Sequence, residues 1–124
     1  MRSAVFGILA VAVVLTACTD DLAGPGQSGG DFDLGVGSGT NPSYSWSVGP
    51  AFALDVVRTS NPSVVVWRIA DPINNNINSP VTHGTKPAAV LETTSSERTL
   101  TAGVQYRVTV TLADGRQAYR EFTP

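Results

Sequence analysis

Residues 104–122 read VQYRVTVTLADGRQAYREF, and their pattern of apolar and polar residues indicates the architecture of the chain. The even positions of Val104–Leu112 are apolar or aromatic and the odd positions are polar, which is the period of a half-buried β-strand. Ala113-Asp114-Gly115 then fits a three-residue hairpin loop with Gly115 in the left-handed conformation. The sequence therefore predicts an antiparallel hairpin with one face in a core.

The loop length sets the register of this hairpin. A three-residue loop buries Phe122 and places Arg120 on the buried side, whereas a two-residue loop would place Glu121 there. We expect the first register because it buries the aromatic ring. The predicted pairs are Tyr106 with Phe122, Val110 with Ala118, Arg107 with Glu121 and Val108 with Arg120.

Other segments repeat the two-residue period. Strands are predicted over 43–48, 51–58 and 64–70, with a loop over 72–80 and short irregular strands near 81–85 and 89–93. The residues expected to face the core are Tyr44, Trp46, Val48, Phe52, Leu54, Val56, Val65, Trp67 and Ile69. Because a half-buried sheet must cover its apolar face, the sequence predicts an all-β fold, a small antiparallel sandwich of two sheets.

Composition and charge exclude several classes of protein. The chain has 124 residues and a formal net charge of −2, which is room for one domain and too little for a large multidomain enzyme. The basic residues are scattered and form no stripe, which excludes a nucleic-acid footprint.

The amino terminus has the layout of an export signal. Arg2 precedes an apolar run over residues 4–17, shorter than the ~20 residues of a membrane-spanning helix but typical of a secretory signal peptide. Leu15-Thr16-Ala17-Cys18 resembles the lipobox of bacterial lipoproteins. The resemblance implies cleavage before Cys18, thioether-linked diacylglycerol on its sulfur and an acylated amino group; the alternative is an ordinary cleaved signal. By resemblance to Gram-negative sorting signals, Thr19 after the cysteine does not enforce inner-membrane retention, so we expect the outer membrane or the cell surface.

Residues 18–42 are expected to be the acylated cysteine and an acidic, glycine-rich tether. Residues 19–42 carry four aspartates and no Lys or Arg, and they show almost no apolar periodicity. The exception is Phe32, Leu34 and Val36, which alternate as a short edge strand would. The predicted organisation is a signal peptide over 1–17, the tether over 18–42 and the sandwich over 43–124.

Three motif matches in the tether lack the context that their chemistry needs. Residues 24–29 fit G-x-G-x-x-G, which binds dinucleotides only between a strand and a helix. Residues 26–30 fit G-x-S-x-G, which needs a strained turn and His and acid partners. Asp31-Phe32-Asp33 lacks the remaining ligands of a calcium loop. We therefore predict no catalytic residue, cofactor or metal site here.

The segment Leu100–Val110 resembles the part of fibronectin type III domains that leads into strand F. The resemblance implies an immunoglobulin-like sandwich in which the hydroxyl of Tyr106 bonds to backbone upstream. Residues 42–47 resemble strand B, with Trp46 in the core, and residues 52–56 resemble strand C. Ala102 stands where Pro is common, and residues 72–99 match poorly.

The remaining candidates for a site are few. His83 is the only histidine, without an evident nucleophile or ligand partners, so we expect a structural role. Trp46 and Trp67 alternate in phase with aliphatic residues and are expected in the core, although exposed rings of Trp67 or Tyr119 would favour sugar binding. Val64–Trp67 could form a sheet edge that pairs with a partner strand.

The function expected from these features is that of an exported, membrane-anchored lipoprotein with a non-enzymatic binding or adhesion domain at the cell envelope. Its expected partners are the membrane, through the lipid on Cys18, and an envelope protein or glycan. A carbohydrate-binding module is the main alternative, and a small hydrolase-like enzyme is a remote one. No cofactor, nucleic acid or small-molecule substrate is expected.

Overall fold

A computed structural model of the chain describes residues 27–124. Within this range the chain forms nine β-strands and no helix. They are β1 (Ser28–Gly30), β2 (Gly35–Val36), β3 (Ser43–Ser45), β4 (Ala51–Arg58), β5 (Asn61–Ala70), β6 (Val81–Thr82), β7 (Leu91–Thr94), β8 (Tyr106–Leu112) and β9 (Gln117–Phe122). The predicted signal peptide, Cys18 and the first part of the tether lie outside the described residues.

The strands form two antiparallel sheets that enclose one core. The larger sheet has the order β1-β9-β8-β4-β5-β7 and the smaller sheet the order β2-β3-β6. This is the small two-sheet sandwich that the alternating sequence predicts. The segments that resemble strands C and F are neighbours in the larger sheet, while the segment that resembles strand B lies in the smaller one.

The hairpin of β8 and β9 has the predicted register. Tyr106 is opposite Phe122, and Arg107 is opposite Glu121, whose carboxylate it binds at 2.6 Å. Gly115 has φ of +92°, the left-handed conformation that the three-residue loop requires. All four even-numbered side chains of β8 are buried. The sequence pattern therefore determines this part of the sandwich down to individual pairs.

Two expected core positions are wrong because β-bulges shift the period. A register shift between Ala51 and Ala53 leaves Phe52 only half-buried. A second shift lies next to Val65, which is half-buried, while Val66 and Trp67 are both buried. A bulge adds a residue to one strand, so the side chains beyond it change face and a strict two-residue count fails.

The strand predicted over 43–48 is shorter than expected. β3 ends at Ser45, and Val48 is 39% exposed instead of lying in the core. The chain turns because the Trp46 N–H donates to Ser79 Oγ at 2.9 Å, and the indole N–H donates to the Gly49 carbonyl at 2.7 Å.

The predicted boundary at residue 43 is also wrong, because the second part of the expected tether belongs to the sandwich. β1 pairs with β9, and β2 pairs with β3. Leu34 lies in the core with only 6% of its surface exposed, and Phe32 and Val36 pack against that core. The alternation of these three residues correctly indicated that the segment packs onto the sandwich. Residues 28–36 cross from one sheet to the other and close one side of the sandwich.

Candidate functional site

His83 is fully buried and links the two sheets, as expected of a structural residue. Its Nε2 lies 2.7 Å from the Glu97 carbonyl oxygen, which can only accept, so Nε2 carries the hydrogen. Its Nδ1 therefore accepts from the Tyr44 hydroxyl at 2.9 Å. The Trp67 ring lies against the imidazole at a centroid distance of 4.6 Å. Burial lowers the pKa of His83, which favours the neutral ring that this arrangement needs.

The Glu97 side chain extends this polar cluster toward β8. Its Oε1 accepts from the Tyr106 hydroxyl at 2.7 Å, and its Oε2 accepts from Arg58 at 2.8 Å. The hydrogen bond from Arg58 lowers the pKa of Glu97. The Tyr106 hydroxyl also accepts the Thr101 N–H at 2.9 Å, the upstream backbone bond that the fibronectin type III resemblance implies. These contacts fix the segment between β7 and β8, and they leave His83 no open face for substrate.

The two tryptophans lie in the core, as expected. Trp67 has no exposed surface and Trp46 is buried, and the Trp67 indole N–H donates to Glu92 at 2.7 Å. Tyr119 is half-buried on the outer face of the larger sheet, with the Arg107 guanidinium 4.7 Å above its ring. The flat exposed tryptophan surface that sugar stacking would use is therefore absent from the described part of the chain.

The expected edge at Val64–Trp67 is partly covered. The carbonyl of Val66 accepts from the Glu97 N–H at 3.0 Å and from Ser96 Oγ at 3.2 Å. Val64 is exposed, but it lies in an irregular stretch, since β4 residues Val57 and Arg58 pair with Val65 and Asn61. A partner strand would therefore find no continuous open edge here.

Arg120 lies on the open side of the sandwich between β9 and β2. It lines a depression of about 430 Å³ formed mainly by residues 28–35, and its Nη1 donates to the Leu34 carbonyl at 3.4 Å. The hairpin register places Arg120 on the core side of β9, but its guanidinium emerges between the sheets. The positive charge is therefore not buried in the core. Among the arginines of residues 27–124, the other five pair with carboxylates. Ser28, the serine of the G-x-S-x-G match, lies in β1 and pairs with Arg120 of β9.

The loops at one end of the sandwich form the best candidate for a binding surface. The β3–β4, β5–β6 and β8–β9 connections meet there around a shallow depression of about 260 Å³, lined by Val48, Pro50, Asn75, Leu112, Ala113, Asp114 and Arg116. Ile73, two residues from Asn75, is 85% exposed. We call this region, residues 46–50, 71–77 and 112–116, the loop end.

The loop that carries Ile73 is fixed at both of its ends. The buried Asp71 carboxylate accepts the N–H groups of Asn74 and Asn76 at 3.3 and 3.2 Å. Ile77 is fully buried and exchanges two backbone hydrogen bonds with Ala51 at 2.9 and 3.1 Å. The loop thus presents Ile73 to solvent. Because the loop is already held in place, binding of a partner would cost little additional conformational entropy.

The sequence predicts the 72–80 loop, but its pattern does not identify Ile73 as a surface residue. No local signal distinguished it, because Ile73 and Ile77 both stand in the asparagine-rich segment between two prolines and only Ile77 is buried. The His83–Tyr44 bond could not be read from the sequence, since 39 residues separate the two side chains.

The fold and the loop end define the protein as a two-sheet antiparallel β-sandwich with a presented loop surface. No protein-family model, curated protein or solved structure matches the chain. Among residues 27–124, no three His, Cys, Asp or Glu side chains are grouped as metal ligands would be. The same residues include no helix of the length and apolarity that a membrane span requires.

Proposed function

We propose that the chain is an exported lipoprotein, held to a membrane through acylated Cys18, whose sandwich is a non-enzymatic binding or adhesion domain at the cell envelope. The resemblance of Leu15-Thr16-Ala17-Cys18 to a lipobox, after a short apolar segment with Arg2 in front, supports the anchor. Two or more acyl chains give stable anchoring, whereas one chain does so only marginally.

The proposal rests on the position at which the chain enters the sandwich, at the end opposite to the loop end. The Gln27 carbonyl accepts from the Glu121 N–H, near the end of β9 where Phe122 pairs with Tyr106. The loop end lies at the other end of β8, beyond Leu112, and seven residues of strand separate the two, about 20 Å. A domain anchored through its amino-terminal end therefore presents the loop end away from the membrane.

The length of chain between the anchor and the sandwich strengthens this orientation. Because β1 begins at Ser28, the spacer after Cys18 is shorter than the sequence pattern suggested. Nine residues from Cys18 to Gln27 span at most ~30 Å even when fully extended. The entry side of the domain thus stays within ~30 Å of the bilayer, and the loop end can lie farther out, where partners reach it.

The chemistry of the loop end suits a protein surface. It offers an exposed aliphatic side chain, exposed Pro50 and Val48, and a shallow depression instead of an enclosed polar cavity. Small polar ligands need several convergent hydrogen-bonding groups in a deep site, whereas protein interfaces use apolar anchors on a shallow surface.

The anchor is tested by metabolic labelling with radioactive palmitate in bacteria that express the full chain. We expect the wild-type chain to carry label and to sediment with membranes, and Cys18→Ala to carry none. Leu22→Ala, four residues beyond the motif, is the matched control and should label as the wild type does. Equal labelling of wild type and Cys18→Ala would contradict the proposal.

A further inference from the structure

Residues 84–98 form a surface loop whose two ends lie together. Asn41 Nδ2 donates to the carbonyls of both His83 and Arg98, at 3.0 and 2.8 Å. Gly84 has φ of +85°, and its backbone lies so close to the Arg98 carbonyl that no Cβ atom would fit between them. Surface loops of about 6–16 residues with close ends are compact units of their own. We call residues 84–98, which include β7, the strap.

The strap contributes little to the apolar core. Of its residues only Val90 is buried, and Leu91 is 58% exposed. Ala89 has φ of +68°, a left-handed conformation that is unfavourable for a residue with a Cβ atom. β7 pairs with β5 at three positions, and a register shift interrupts them. Segments with few buried apolar contacts are those that open at the lowest free energy.

Two carboxylates hold the strap against the larger sheet. Glu92 accepts the indole N–H of Trp67, in β5, at 2.7 Å. Glu97 accepts from Arg58, in β4, at 2.8 Å and from the Tyr106 hydroxyl, in β8, at 2.7 Å. The side chains of the strap are therefore bonded to three strands mainly through negative charge instead of apolar packing.

We propose that the strap is an acid-sensitive cover over the edge of β5, which opens as a unit while the rest of the sandwich stays folded. When closed, the strap donates the Glu97 N–H and the Ser96 hydroxyl to the Val66 carbonyl, and β7 pairs with residues 68–70. When open, it leaves these backbone groups of β5 unpaired, as they are at any exposed sheet edge. The inference does not depend on the lipid anchor.

The charges around the two carboxylates make closure depend on pH. Hydrogen bonds from Arg98 and Arg58 lower the pKa of Glu92 and of Glu97 respectively, and Lys86 also faces Glu92. A carboxyl whose pKa is lower in the closed state favours closure at neutral pH. That contribution is lost as pH falls below the ordinary value of 4.5 toward the lowered one.

His83, at the start of the strap, acts in the same direction. Its Nε2 donates to the Glu97 carbonyl, and its ring also faces Tyr44 and Trp67. Burial lowers the pKa of His83, so the closed strap holds a neutral imidazole. Opening removes the Glu97 carbonyl from Nε2 and admits water, so the open state takes up a proton below the ordinary value of 6.5.

Hydrogen exchange of the backbone amides in the full chain, followed by NMR, tests whether the strap opens by itself. The Glu97 N–H reports the strap, and the amides of β8 report unfolding of the whole domain. We expect the protection factor of the Glu97 N–H to be lower than that of β8 by about tenfold or more. It should also depend little on urea below the unfolding transition, because local opening exposes little surface. A protection factor and a urea dependence equal to those of β8 would overturn the inference.

Glu97→Gln tests the role of the charge, since it keeps the shape of the side chain. We expect it to lower the protection factor of the residue-97 N–H about tenfold at neutral pH, because hydrogen bonds between charged groups are the stronger kind. Protection should also fall less in the variant than in the wild type between about pH 7 and about pH 4.

Glu121→Gln is the matched control. Glu121 binds Arg107 at 2.6 Å in the hairpin of β8 and β9, and β4 and β5 separate that hairpin from β7. This variant should leave the protection of the Glu97 N–H unchanged. The inference is wrong if Glu97→Gln has no effect on strap protection or if Glu121→Gln lowers it equally. If Glu97→Gln does not fold, Glu92→Gln makes the same test through the bond to Trp67.

Discussion

The Tyr44 hydroxyl donates a hydrogen bond to Nδ1 of His83 at 2.9 Å, and this bond completes the polar connection between the two sheets. Tyr44 belongs to the smaller sheet, while the imidazole donates from Nε2 to Glu97, whose own N–H is bonded to β5 of the larger sheet. Burial raises the pKa of Tyr44, so the phenol stays protonated and keeps its donor. The connection requires a neutral imidazole with its hydrogen on Nε2.

Protonation of His83 should therefore destabilise the fold in mild acid. Its folded pKa lies below its unfolded value of about 6.5, so below that pH the unfolded chain binds a proton that the folded chain does not. The free energy of unfolding should fall as pH falls below about 6.5, by at most ~1.4 kcal/mol per pH unit, until the folded pKa is passed. Urea unfolding at a series of pH values measures this slope.

The matched variant for this measurement is His83→Gln, whose amide can still donate and accept. It should be less stable than the wild type at neutral pH but should lack the slope that begins below about pH 6.5. The depressed pKa values of Glu92, Glu97 and Glu121 act at lower pH, and Asp55, whose pKa burial raises, contributes equally to both chains. An identical slope in the two chains would refute the role assigned to His83.

Removing the Tyr106 hydroxyl should be costly although the ring stays in place. Tyr106→Phe leaves the Thr101 N–H and one oxygen of Glu97 without their partner. We expect a loss of about 1–3 kcal/mol in the free energy of unfolding, measured as a lower urea midpoint. Tyr119→Phe is the control, because the Tyr119 ring packs against Arg107 and should need no hydroxyl. Equal losses in both variants would mean that the Tyr106 hydrogen bonds contribute nothing specific.

Leu34 tests whether the glycine-rich segment belongs to the domain. Leu34→Ala should lower the free energy of unfolding by about 2–5 kcal/mol, the usual cost of emptying a core leucine site. Leu91→Ala, at a leucine that is 58% exposed, should cost much less. If Leu34→Ala cost no more than Leu91→Ala, residues 28–36 would be a tether after all.

The sequence alone is sufficient to predict the register of the hairpin of β8 and β9. Its register could be predicted because the loop residues and the buried Phe122 constrain the same pairing, and both are local features. Phe52 and Val65 could not be placed, because the bulges that displace them depend on pairing with strands distant in the chain.

The candidate site was harder to predict than the fold. Three connections far apart in the sequence meet at the loop end, so its depression has no local signature. The prediction of a tether was also wrong for residues 28–42, because the high glycine content of this segment indicated a flexible spacer. Three well-spaced apolar side chains were enough to anchor that segment to the core.

The intact mass of the native protein extracted from membranes tests the lipid anchor itself. We expect a chain that begins at Cys18 and carries diacylglycerol and one further acyl group. A mass that still included residues 1–17, or that showed a cleaved chain with no lipid, would contradict it.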